Sequence, residues 1–192
     1  MEAPAAARNP AESSGPSEPS VAGVSTEITV NSPEQMQELG RRLAKLLRAG
    51  DLVMLTGELG AGKTTLTRGL GEGLGVRGAV TSPTFVIARV HPPLGDGPPL
   101  VHVDAYRLGL GSSGTASGVG LDDMEDLDLD VSLTDSVIVV EWGEGKVEEL
   151  TDDRLHVLIH RAVGDTTDEV RHVTLRGVGE RWATVGLGVL SA

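Results

Sequence analysis

Residues 52–64 read LVMLTGELGAGKT. Leu52–Thr56 is an apolar run of strand length, and Gly57–Gly62 is a glycine-rich corner. Leu66, Leu70 and Leu74 then recur at helical spacing, so a helix leaves the corner. Gly57–Thr64 fits G-x-x-x-x-G-K-[ST], and each residue type has a physical task. Glycines open backbone conformations in which successive N–H groups converge on one anion. The helix start adds partial positive charge. Lys63 supplies a compact cation for β- and γ-phosphates, and the Thr64 hydroxyl suits Mg²⁺. The flanking strand and helix are the context this phosphate-binding P-loop requires. Gly69, Gly71 and Gly73 each weaken the helix by about 1 kcal/mol relative to alanine, a cost that close packing against a sheet would explain.

Upstream, Ile28 and Val30 alternate with polar residues as a short strand. Ser32 is the N-cap of a helix, with Pro33 at its first position and Gln35 completing a capping box. Met36, Leu39, Leu43, Leu46 and Leu47 follow at helical spacing, and Gly50 is the expected stop. Downstream, Val80–Val90 alternates loosely, and His91–Pro99 is turn chemistry. Leu100–Val103 is a strand ending at Asp104, and Val137–Val140 is one ending at Glu141. Leu155–His160 and Val170–Leu175 flank Gly164-Asp165 as a hairpin. Residues 109–130 read as a flexible Gly/Ser-rich and acidic insert, and Glu180–Ala192 is ambiguous. Residues 1–25, rich in Pro, Ser, Ala and Glu, are expected to be a disordered tail before a folded domain at 26–192.

Composition narrows the function. The 192 residues carry 28 acids against 16 bases, a formal charge of -12, which argues against a freestanding nucleic-acid binder. Nine of the acids fall between Arg107 and Lys146, with no Lys or Arg among them. The chain has no cysteine, so disulfides, thiolate zinc sites and cysteine nucleophiles are excluded. No apolar run spans a membrane and Met1–Ser20 lacks a signal-peptide pattern, so a cytoplasmic protein is expected.

A P-loop enzyme needs a carboxylate near Mg²⁺ at the carboxyl end of a neighbouring strand. Asp104 and Glu141 both have that form, and spacing does not decide which serves the metal and which the attacking water. Thr84, after Ser82-Pro83, reads either as a turn residue or as part of a segment approaching the γ-phosphate. His156 and His160 read as surface residues and His102 as strand packing. Trp142 is a candidate for either core or active-site wall.

The order GELGAGKTT, TSPTF, HVDAYRL, VIVVEW resembles the TsaE (YjeE) family of bacterial P-loop ATPases over Thr26 to about Leu175. The resemblance implies a role in tRNA threonylcarbamoyladenosine biosynthesis, with ATP hydrolysis resetting a TsaB–TsaD complex that itself carries the tRNA. It implies nucleotide contacts from Pro33, Glu58, Leu59, Gly60, Ala61, Gly62, Lys63, Thr64, Thr65 and Trp142. It further implies Mg²⁺ on Thr64 and Glu141, and catalytic parts for Lys63, Asp104 and Thr84. Gly143, where the family often has proline, and the long insert depart from its pattern. A P-loop small-molecule kinase and a non-hydrolysing nucleotide-gated binding module are the alternatives. A GTPase is disfavoured, because no N-K-x-D base-reading motif occurs. The expected fold is α/β and P-loop NTPase-like: a mainly parallel sheet with helices on both faces and an antiparallel C-terminal portion.

Overall fold

The computed structural model describes residues 23–81, 88–104, 133–142, 151–161 and 169–191. The Gly/Ser and acidic insert, Thr84, Gly143 and the hairpin turn at Gly164-Asp165 lie outside them. So does most of the expected tail.

One seven-stranded sheet organises the chain. In chain order its elements are β1 (Val24–Val30), α1 (Pro33–Ala44), β2 (Leu52–Gly57), α2 (Lys63–Leu74), β3 (Ala88–His91), β4 (Leu100–Asp104), β5 (Val137–Glu141), β6 (Arg154–Arg161) and β7 (Arg171–Val178), then a short helix α3 (Glu180–Ala183). The strand order is β1-β7-β6-β2-β5-β4-β3. β2 runs parallel to both β5 and β6, and β4 runs parallel to β5. The β6–β7 hairpin and β1 add the antiparallel portion, and β3 closes the other edge antiparallel to β4. β1 begins at Val24, so Val24 and Ser25 of the expected tail belong to the sheet.

Alternation along the strands splits the core in two. Val53, Leu55, Leu100, Val139, Val157 and Leu175 face α1 and α2 in the larger cluster. Leu52, Met54, Val101, Val103, Ile138 and Val140 form the cluster on the opposite face. Among the described residues no α-helix packs on that second face.

The Ser32 cap forms as read, its hydroxyl accepting from the Gln35 N–H at 3.3 Å. The Gln35 side chain reaches back to the Asn31 N–H at 2.8 Å. The helix stops at Ala44 rather than near Gly50. Leu46 and Leu47 bond back three residues to Leu43 O and Ala44 O, so a tightened turn carries the apolar period onward without an α-helix. The glycines of α2 answer to a helix more than to the sheet. A Cβ on Gly73 would lie 2.5 Å from the Ala44 Cβ and 2.8 Å from Arg41 O, both in α1. Gly69 meets the Gln37 backbone of α1 in the same way, while Gly71 meets Val80.

The C-terminal segment is tied down by charge. Arg181 grips Asp51 with Nε to Oδ1 at 3.0 Å and Nη2 to Oδ2 at 2.9 Å, and Nη2 also donates to Leu46 O at 2.8 Å. Trp182 beside it is fully buried. Arg181→Ala would strand a buried carboxylate, and is expected to cost about 3 kcal/mol in urea unfolding.

His91, at the end of β3, is also buried. Burial pushes its imidazole below the ordinary value near 6.5, and nearby His102 and Arg89 push the same way against a hydrogen bond that the ring donates to the Arg77 backbone carbonyl. The unfolded chain therefore takes up this proton more readily than the folded one. The contribution is whole above about pH 6.5 and shrinks as pH falls below it. Between about pH 7.5 and about pH 5.5 the wild-type melting temperature is expected to drop further than that of His91→Gln.

Candidate nucleotide-binding site

β2 ends at Gly57 in the middle of the sheet, and the chain must turn from there into α2 within five residues. Gly60 and Gly62 make that turn with φ of 76° and 115°. At Gly62 the backbone requirement coincides with crowding, since an added Cβ would sit 3.3 Å from Met36 Cε. Gly62 is the N-cap of α2 and offers no side-chain cap, so the first amides of that helix are left to other acceptors.

Lys63 is buried in this corner. Its Nζ donates to Gly57 O at 2.7 Å and Glu58 O at 3.0 Å, and lies 4.6 Å from the centre of the Trp142 ring. Burial pushes the Lys63 amine below the usual lysine value, and the Glu141 carboxylate opposes that shift. The lysine of the loop and the acid ending β5 thus sense each other's charge.

Register explains the proximity. Leu55 of β2 pairs with Glu141, and Glu141 pairs with Asp104 of β4. Alternation puts Asp104 and Glu141 on the face that carries α2, at the carboxyl ends of parallel strands. Neighbouring strands lie about 4.8 Å apart, so Glu141 is one strand, about 5 Å, from the end of β2, and Asp104 is two strands, about 10 Å, away. Glu141 is buried and Asp104 is half-buried. Trp142, immediately after Glu141, adopts φ 60°, a left-handed conformation uncommon for a bulky side chain, and its ring is 45% exposed.

On the other flank of the loop a cavity of about 110 Å³ opens between the start of α1 and the start of β7. Pro33, Gly60, Ala61, Gly62 and Thr65, five of the residues named above as candidate nucleotide contacts, line it. Ser32, Met36, Glu169 and Arg171 join them. Arg171 Nε donates to Ala61 O at 3.2 Å, which ties β7 to the loop. The sequence carried no signal for Glu169 and Arg171, which follow the hairpin turn far downstream of the motif. Glu58 and Leu59 sit exposed at the tip of the loop, Leu59 at 87%. Thr84 is outside the described residues.

His102 is more than strand packing. It is fully buried, and its Nε2 donates to Glu141 Oε1 at 2.9 Å. His156 shares a hydrogen bond with the Thr56 hydroxyl at 2.8 Å, and His160 is exposed. Among the described residues no three His, Asp or Glu side chains gather to hold a metal by themselves. Thr64 at the start of α2 and Glu141 at the end of β5 each offer oxygen donors next to the glycine-rich loop. That donor set fits Mg²⁺, which usually takes one or two carboxylates and completes its shell with phosphates and water. No described helix is long and apolar enough to cross a membrane.

The sheet and this corner define an α/β protein of the P-loop NTPase-like type. The family model described as "Threonylcarbamoyl adenosine biosynthesis protein TsaE" matches residues 30–170. The "tRNA threonylcarbamoyladenosine biosynthesis protein TsaE" of Streptomyces coelicolor is 82% identical over 156 residues, 81% of this chain and 99% of that one. The protein of the same description from Bacillus subtilis is 38% identical over 156 residues, 80% of this chain and 86% of that one. The crystal structure of Bacillus subtilis YdiB superposes with a TM-score of 0.61 at 31% identity, covering 84% of this chain and 90% of that one. The chain belongs to the TsaE family.

Gly62→Ala would force a side chain into the left-handed turn against Met36. It is expected to cost about 1–2 kcal/mol in urea unfolding, the usual strain of that conformation.

Proposed function

We propose that this protein binds ATP with Mg²⁺ across Gly57–Thr65 and hydrolyses it as a component of tRNA threonylcarbamoyladenosine biosynthesis. It acts on a TsaB–TsaD complex in the cytoplasm. The observation that carries this reading is the buried Lys63, held in a glycine-rich turn within charge range of Glu141 on the neighbouring parallel strand. Family membership supplies the pathway, and the names of its relatives supply the modification.

The mechanism follows from the placement of the residues. The first amides of α2 and the turn at Gly60–Gly62 receive the phosphates. Lys63 exchanges its two carbonyl partners for phosphate oxygens and stabilises the charge that develops on them. Thr64 and Glu141 would hold Mg²⁺, which when bound neutralises phosphate charge and orients the leaving group. Asp104, one strand further from the loop on the same face, orients the attacking water. The base end of the nucleotide occupies the cavity between Pro33, Met36 and Arg171, with Trp142 beside the phosphates on the opposite side. That cavity is a fraction of the several hundred Å³ typical of a whole ligand site, which suits a seat for one end of the molecule.

With a net charge of -12 the protein leaves tRNA phosphates to its partners. Leu59 and the Trp142 ring, both exposed beside the site, are the surface through which partner docking reaches the nucleotide.

Phosphate release from ATP, measured with and without TsaB and TsaD, tests the reading. The expected result is slow turnover alone, a severalfold rise with the partners, phosphate released to water only, and loss of both rates in Lys63→Ala and Asp104→Asn. Transfer of phosphate to a nucleoside or sugar would mark a kinase instead. No turnover even with partners would mark a non-hydrolysing module.

A further inference from the structure

Glu141 does not stand alone at the end of β5. His102 lies one step back along β4 on the diagonal, because Asp104 is the register partner of Glu141 and Val139 that of His102. Both side chains are withdrawn from water, His102 completely and Glu141 to about 6%. Their hydrogen bond at 2.9 Å joins Nε2 to Oε1. The Nδ1 of His102 is buried and has no hydrogen-bond partner among the described residues. A glutamate side chain has three rotatable bonds, and ordering it costs up to about 2 kcal/mol. A carboxylate already held by one oxygen has met much of that cost before any ligand arrives. The next residue, Trp142, turns the backbone at φ 60°, so Glu141 is the last residue that the neighbouring strands hold in register.

From this geometry we infer that His102 is a positioning residue: its Nε2–H fixes Oε1 of Glu141 and so presents the remaining acceptor positions of that carboxylate to the divalent cation. The inference rests on Glu141 being a metal ligand, as proposed above. A carboxylate has about four acceptor positions, so one donated bond leaves it able to bind a metal. Partners of this kind set the orientation of a metal ligand, and their removal costs about 10- to 100-fold in metal affinity. The bare Nδ1 shows where the histidine's contribution is spent, since its only hydrogen bond among the described residues goes to Glu141.

The test uses Mn²⁺ as the probe and reads its affinity for the protein–ADP complex by electron paramagnetic resonance, with no turnover needed. ADP affinity without metal is measured alongside by calorimetry, in wild type, His102→Ala, His102→Gln, His102→Asn and Glu141→Gln. Expected are a rise of about 10- to 100-fold in the Mn²⁺ dissociation constant for His102→Ala, unchanged metal-free ADP affinity, and recovery in His102→Gln, whose amide nitrogen reaches the Nε2 position. Wild-type Mn²⁺ affinity in His102→Ala overturns the inference. An equal loss in the Gln and Ala variants overturns it too, since that would assign the effect to packing. Should His102→Ala fail to fold, Gln against Asn decides, because the shorter amide falls short of Glu141; equal affinities overturn the inference. Unchanged Mn²⁺ affinity in Glu141→Gln would instead remove the metal reading on which it stands.

Discussion

The close approach of α1 to α2 is the contact on which the site's shape depends. Two helices normally pack with axes 8–10 Å apart, set by the side chains between them. Here Gly40 faces Leu66 and Gly69, and Gly73 faces Ala44, with no room for a β-carbon at any of the three. The helices therefore meet backbone to backbone. That contact presses the start of α1 against the start of α2, with Met36 beside Gly62, and creates the cavity beside the P-loop. Gly69, Gly71 and Gly73 cost α2 roughly 3 kcal/mol of helix propensity, and the burial of Leu39, Leu43, Leu66 and Leu70 outweighs it.

Register does for the acids what close packing does for the cavity. Parallel pairing of β2, β5 and β4 brings three strand ends to one edge, and alternation turns Glu141, Asp104 and His102 toward the helix-covered face. A slip of one residue in β5 would send Glu141 into the cluster of Leu52, Met54 and Val101 on the other side. Val137–Val140 are buried on both faces and would be apolar in either register, so the cost of placing the Glu141 charge in that apolar cluster is what opposes the slip.

These two constraints explain what was legible in the sequence and what was not. The P-loop, its strand and its helix are local, each residue speaking for its neighbours, and they stand where the motif put them. The Ser32 cap and the strands ending at Asp104 and Glu141 were readable for the same reason. The α1–α2 contact was not, because glycines in a helix announce a close approach without naming the partner, and a sheet was the first candidate. The end of α1 was overrun because Leu46 and Leu47 keep the helical period through a tighter turn. His102 reads as strand packing in the sequence because its partner lies 39 residues away and only register brings them together. Arg181 and Asp51, 130 residues apart, were invisible by the same logic, which left the C-terminal segment ambiguous.

The antiparallel half of the sheet gives the last step. In an open α/β sheet ligands gather at the carboxyl ends of strands, where connections leave toward opposite sides. β2 sits at such a place: β6, β7 and β1 lie to one side and β5, β4 and β3 to the other. The parallel side brings the two acids. On the other side the hairpin reverses direction, so the start of β7, not its end, reaches the level of the P-loop, and Arg171 arrives there with Nε on Ala61 O. An arginine at the start of an antiparallel strand and a glutamate at the end of a parallel one therefore flank the same loop. One flank is a small cavity lined by Pro33, Met36 and Arg171, and the other a charged edge where Lys63 faces Glu141. The reversal at the hairpin thus gives the site two chemically different walls without adding a second domain.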